Sequence, residues 1–187
     1  MSRKLAVFFP GAGYHNDKPL MYYTKRIARN QAYEVVEISF DLSGAAAPVK
    51  GDRERIRIAV DTAFRQACGK LRDIGFDQYE KVVFVGKSIG TAVMARYSMA
   101  YGLDPEMILF TPIAETFEYP GIRGSVFHGS ADPLFDAEIC RKRCEEMSLA
   151  CTVIPEANHS LETGDVETDI SILRGVMKAV DGIISRV

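Results

Sequence analysis

Residues 82–91 read VVFVGKSIGT, and the role given to Gly86-Lys87-Ser88 within that stretch decides the fold. Gly-Lys-Ser is how a phosphate-binding loop ends. Such a loop needs a glycine five residues earlier, because consecutive backbone N–H groups must wrap the phosphates before the helix begins. That position is Lys81, and the intervening VVFV is an apolar strand that leaves no loop. A second glycine cluster, Gly11-Ala12-Gly13, starts a dinucleotide fingerprint whose third glycine would fall at Asn16, so that pattern is also incomplete. What remains is Gly86-Lys87-Ser88-Ile89-Gly90 read as GxSxG, a sharp strand-to-helix turn. Its serine is held in a strained conformation above the sheet edge, with glycines giving space for the close approach.

Working outward, short β-branched and aromatic runs alternate with segments of helical period. The runs are LAVFF (5–9), YEVVEISF (33–40), KVVFVG (81–86), EMILFT (106–111), SVFHG (125–129) and CTVIP (151–155). Alternation of this kind predicts a three-layer α/β/α sandwich, a doubly wound and mostly parallel sheet of about six strands with helices on both faces. Helical spacing is clearest in Ile56, Ala59, Val60, Ala63, Phe64, Ala67 and Leu71, with Gly75 expected as the stop. It returns in Val166, Ile170, Leu173, Val176, Met177, Val180 and Ile184. Shorter helices are expected from Ser88 to Tyr101, closed by Gly102, and from Asp136 to Met147.

A length of 187 residues without repeats or a low-complexity linker predicts one domain over 1–187. The net charge of −2, from 23 basic and 25 acidic residues, favours neither nucleic acid nor an anionic membrane. The opening MSRKLAVFFP reads as a first strand and not as a signal peptide, since its apolar run reaches Pro10 after five residues. No stretch approaches the roughly 18 apolar residues of a spanning helix, and a cytoplasmic location is expected. Cys68, Cys140, Cys144 and Cys151 are expected as free, mostly buried thiols. Cys140 and Cys144 lie one helical turn apart, but no His or third Cys shares a ligand spacing with them, so no metal and no cofactor is expected.

A serine at neutral pH needs a base, and a histidine base needs an acid to fix its tautomer and stabilise its positive form. The chain has 3 histidines. His15 precedes the motif and His128 ends the strand SVFHG. His159, in PEANHSLE after the last strand, is the one placed to reach Ser88 over the C-terminal edge of the sheet. The acid is expected between them, at Asp132 in HGSADPLF. Asp136 reads as a helix cap, and Asp104 and Glu115 are weaker alternatives. His128 is expected to pack or hydrogen-bond within the loop that presents Asp132. The tetrahedral oxyanion calls for two N–H donors: that of Ile89, directly after the serine, and one from the loop FPGAGYH, Ala12 first and Gly13 next.

With GKSIG, HGSAD and ANHSLE in this order, nearly the whole chain resembles the α/β-hydrolase superfamily, and within it small lidless members similar to dienelactone hydrolases and serine esterases. The resemblance implies an acyl-enzyme mechanism with Ser88 as nucleophile, His159 as base then acid, and Asp132 orienting His159. The chain departs from the family pattern in having Pro10-Gly11 where many members have His-Gly, and in lacking the first two strands of the full fold. Only PIAETFEYPGIRG (112–124) precedes SVFHG, too short for a cap domain, so an open site acting on small soluble esters or thioesters is expected. Tyr14, Phe117 and Tyr119 are expected to line a shallow cleft with Phe9, Glu115 is expected to add polarity near it, and Lys87 to lie on the surface. A binding protein on the same scaffold, or a peptidase or acyltransferase with the same triad, fits these residues too.

Overall fold

The run Leu5–Phe9 contains no polar residue because neither of its faces meets water: all five residues are fully buried in strand β1 (Lys4–Phe9). The structure, a computed structural model, describes residues 3–43 and 52–187. After β1 come α1 (Pro19–Asn30), β2 (Glu34–Glu37), α2 (Arg53–Leu71), β3 (Lys81–Lys87), α3 (Ile89–Tyr101) and β4 (Glu106–Phe110). They are followed by β5 (Gly124–Gly129), α4 (Ala137–Glu146), β6 (Ala150–Ile154) and α5 (Val166–Arg186). The strands form one six-stranded sheet in the order β2-β1-β3-β4-β5-β6, every neighbouring pair parallel. In the register, Phe9 lies opposite Gly86 and Lys87 opposite Phe110, so the C-terminal ends of β1, β3 and β4 come level at one edge.

Helices cover both faces. Leu20, Met21 and Ala28 of α1 and Val176, Val180, Ile183 and Ile184 of α5 pack on the face bearing Ala6, Val83, Val85 and Ile108. The opposite face, bearing Leu5, Val7, Phe84 and Met107, is covered by α2, α3 and α4. Each buried aliphatic side chain of these stripes contributes about 2 kcal/mol, which is why apolar periodicity foretold the layers. The expected three-layer parallel architecture is the observed one.

Several boundaries differ. α1 was not legible because Asp17-Lys18-Pro19 looks like a break, yet proline at the first helical position costs no hydrogen bond. β2 is four residues long, not eight. α2 stops at Leu71, before Gly75, which instead leads a 3₁₀ turn over Phe76–Gln78. Gly102 does close α3, in the left-handed conformation at φ 62°. The connection from β4 to β5 holds only a 3₁₀ turn, Ala114–Glu118. Among the described residues no helix is long and apolar enough to cross a membrane.

Candidate active site

Ser88 sits between β3 and α3 with φ 55° and ψ −123°, a conformation that strains any residue bearing a Cβ. Sterics hold it there. A Cβ on Gly90 would lie 2.0 Å from the Phe9 carbonyl oxygen, so that glycine is required by close approach to backbone, whereas one on Gly86 would press at 2.7 Å on Met94 Sδ, part of a flexible side chain. The turn is fastened further by the Ser88 N–H, which donates to the Phe110 oxygen at 3.0 Å. Thr91 Oγ1 donates to the Ser88 oxygen at 2.6 Å.

Asp132 reaches the same edge from the β5–α4 connection. One carboxylate oxygen accepts the Leu134 N–H at 2.9 Å, and the other lies 2.7 Å from His159 Nδ1. A carboxylate only accepts, so Nδ1 carries the proton and Nε2 presents a lone pair. That nitrogen is 2.8 Å from Ser88 Oγ, whose O–H donates to it. Burial pushes the Asp132 pKa up, but the His159 hydrogen bond and charge and the Leu134 N–H outweigh it, leaving the carboxyl below its ordinary value. Burial pushes the His159 pKa down, the Asp132 hydrogen bond opposes it and the charge of Lys87 adds to it, with a net lowering. The result is an ionised acid beside a neutral imidazole, which is the state that can take a proton from a hydroxyl.

The loop carrying His159 is held by hydrogen bonds. Asn158 Oδ1 accepts the N–H groups of Ser160 and Glu162 at 2.7 and 3.2 Å. Thr111 Oγ1 donates to the His159 oxygen at 3.0 Å, and Ser130 Oγ accepts the Glu156 N–H at 2.7 Å. Thr111, Asn158 and Ser130 carry no sequence signal of a role here, since only the fold brings their partners together.

His128 is fully buried and donates through Nε2 to the Phe135 oxygen at 2.9 Å, as expected of a residue bracing the Asp132 loop. Its Nδ1 stands 3.7 Å from Asp132, too far for a hydrogen bond.

A cleft of about 240 Å³ lies over Ser88, lined by Gly11, Ala12, Gly13, Tyr14, Lys87, Ile89, Leu134, His159 and Ser160. The loop residues Ala12, Gly13 and Tyr14 and the helix-opening Ile89 thus gather around Ser88. Phe117 and Tyr119 do not. Phe117 is buried against Phe135 with ring centroids 5.7 Å apart, because the 3₁₀ turn folds back onto α3 and away from the cleft. Tyr119 packs on the same core, and Phe9 is wholly interior beside Phe84. Glu115 is buried and pairs with Arg53 at 3.5 Å instead of facing the site.

Lys87 is the clearest departure. It is 1% exposed, not at the surface, because the sheet's alternation turns its side chain toward the face covered by α1 and α5. Its ammonium lies 5.0 Å from the Tyr14 ring centroid, a cation–π contact. Burial brings its pKa down to about 7, against the attraction of Asp132 and Glu162.

An apolar groove of about 210 Å³ adjoins the cleft, sharing Tyr14 and Ser160 and lined beyond them by Leu20, Leu161, Val166, Ile170 and Leu173.

No family model matches the chain, and no curated protein sequence does. Solved structures do. A serine hydrolase without a lid from Xanthomonas campestris aligns over 100% of this chain and 83% of its own, with a TM-score of 0.66 at 16% identity. Est1E from Butyrivibrio proteoclasticus aligns over 99% of this chain and 88% of its own, with a TM-score of 0.68 at 10% identity. It has also been solved with ferulic acid bound. An α/β serine hydrolase homologue from Coxiella burnetii aligns over 94% and 86%, with a TM-score of 0.59 at 14% identity. The chain has the α/β-hydrolase fold, and among the described residues the β4–β5 connection, where a cap domain was not expected to fit, holds only a 3₁₀ turn.

Proposed function

We propose that the protein is a serine hydrolase that cleaves carboxylic esters or thioesters of small soluble substrates through an acyl-enzyme intermediate. The observation that carries the reading is the continuous hydrogen-bonded line from Ser88 Oγ through His159 to Asp132, at 2.8 and 2.7 Å, starting from a backbone strained at φ 55°. Strain of that kind persists where surrounding structure enforces it, and it clusters at functional sites.

In this reading Ser88 Oγ attacks the acyl carbon while its proton passes to His159 Nε2, and the Asp132 carboxylate stabilises the imidazolium. The carbonyl oxygen gains the displaced electron pair and is met by the N–H groups of Ile89 and Ala12, with Gly13 beside them. Ile89 opens α3, where an N–H has no intrahelical acceptor. The intermediate collapses, the C–O or C–S bond breaks, and the leaving alcohol or thiol takes the proton from His159. Water then repeats the sequence on the acyl-serine and releases the acid.

The cleft supports this substrate class. It is small and open, and the adjoining groove offers apolar cover for a short acyl or aromatic group. A long chain would run on past Val166 and Ile170, which are already largely exposed. Free thiols throughout the chain fit a reducing, cytoplasmic setting.

Reaction with a fluorophosphonate probe tests the nucleophile: labelling is expected in the parent and lost in Ser88→Ala and His159→Ala. Equal labelling of the parent and Ser88→Ala overturns the assignment. A panel of p-nitrophenyl esters tests the substrate class, with acetate to hexanoate expected to be preferred over dodecanoate. Preference for the long chain overturns that part.

A further inference from the structure

Sequence spacing offers Cys140 and Cys144 on one face of a helix with no third ligand in register, and the fold supplies the third. β6 lies at the sheet edge beside α4, and Cys151 of β6 turns its side chain to the α4 face, so that the Sγ atoms of Cys140, Cys144 and Cys151 lie within 4.8 Å of one another. Cys140 and Cys144 are 0% and 1% exposed, Cys151 is half-buried, and no disulfide joins any of them. Cys151 thus joins the pair in space although it shares no ligand spacing with it in sequence. Residues eleven and seven positions apart in sequence converge only when α4 folds back on the strand that follows it.

We propose that these three thiols form a binding site for a thiophilic cation of the Zn²⁺ type, separate from the Ser88 cleft, with its fourth position open to water on the Cys151 side. The geometry is close to what the ion requires. Zinc–sulfur bonds of about 2.3 Å place sulfurs about 3.8 Å apart in a tetrahedral site. A triangle with sides of up to 4.8 Å has its centre no more than about 2.8 Å from each sulfur. An inward movement of about 0.5 Å per thiol, within the reach of small χ1 adjustments, completes the bonds.

The donor chemistry selects the ion. Three soft sulfurs and no carboxylate or imidazole within the cluster disfavour Mg²⁺ and Ca²⁺, which require oxygen ligands. Binding displaces the thiol protons to solvent and changes no oxidation state. An open fourth position makes the ion exchangeable, in contrast to a closed four-ligand structural site. Bound metal would tie α4 to β6, two elements joined through β5 to the loop that holds Asp132.

The test uses reduced, metal-free, full-length protein titrated with Co²⁺ as an optical probe. One equivalent is expected to bind with intense sulfur-to-cobalt charge-transfer absorption, and Zn²⁺ is expected to displace it. The band is expected to vanish in Cys144→Ser and in Cys151→Ser and to persist in Cys68→Ser, whose thiol lies outside the cluster. Absence of the band in the parent, or its persistence in Cys151→Ser, overturns the site. Should either cluster variant fail to fold, thiol labelling of the parent decides. Zn²⁺ is expected to slow modification of Cys151 by about tenfold or more while Cys68 reacts unchanged. Equal labelling of Cys151 with and without Zn²⁺ overturns the proposal.

Discussion

Two connections at the C-terminal edge of the sheet bring Ser88 and His159 together, and they are built on opposite principles. The β3–α3 turn is a single strained residue between two glycines, and backbone contacts at Gly90 admit no Cβ. The β6–α5 connection spans residues 155–165 and is held by side-chain hydrogen bonds from Asn158, Thr111 and Ser130. Sterics make the first all-or-none. Hydrogen bonds, each contributing about 1 kcal/mol net, make the second adjustable in steps. A site assembled from both has one fixed partner and one that can be tuned.

The largest expected effect separates chemistry from fold at the rigid turn. Ser88→Ala is expected to lower kcat for a p-nitrophenyl ester by on the order of 10⁶-fold, with thermal unfolding little changed, since alanine keeps the same Cβ. A residual rate within tenfold of the parent would remove Ser88 from the mechanism. Next comes Gly90→Ala, whose new Cβ would stand 2.0 Å from the Phe9 oxygen. Overpacking against backbone is expected to cost about 3 kcal/mol and to lower Tm by about 10 °C for a chain of this size. A Tm within 2 °C of the parent would show that the turn yields more readily than its geometry requires.

The long connection should respond by degrees. Asn158→Ala removes the acceptor for two N–H groups and is expected to cost about 2 kcal/mol of stability. By loosening His159, it is expected to lower kcat roughly tenfold with little change in KM. A loss as large as that of Ser88→Ala, or none, would erase the contrast between the two connections.

The same contrast explains what the sequence disclosed. Ser88 was legible because it lies in a local GxSxG pattern whose Gly90 is a steric requirement, and Asp132 and His159 because each follows a strand whose apolar run is plain. Lys87 was misplaced because the second position of GxSxG carries no steric rule, and the depth of its side chain depends on α1, itself hidden behind a proline. Phe117 and Tyr119 were assigned to the cleft from their place after β4, whereas the 3₁₀ turn carries them back onto α3. The hydrogen bonds that hold His159 and the meeting of Cys151 with Cys140 and Cys144 depend on contacts between distant segments, which periodicity does not encode.

The smallest expected effect lies where the two connections meet, at Lys87. Its positive charge, present below a pKa of about 7, disfavours a second positive charge on His159 and adds to burial in lowering the histidine's pKa. In the proposed mechanism His159 acts as base when neutral, so kcat/KM should rise with pH through the His159 pKa, with the acidic limb below the ordinary histidine value. Lys87→Met keeps the length and apolar stem but removes the charge. The protonated imidazole then meets less repulsion, its pKa rises, and the acidic limb is expected to move to higher pH. Burial and the Asp132 hydrogen bond still act, so an acidic limb and the order of ester preference should remain. Exchanging a buried ammonium for an apolar side chain of similar volume should leave Tm unchanged or raise it. A pH–rate profile of the variant that superimposes on the parent's would show that Lys87 does not act on His159, leaving burial and Asp132 to set its pKa.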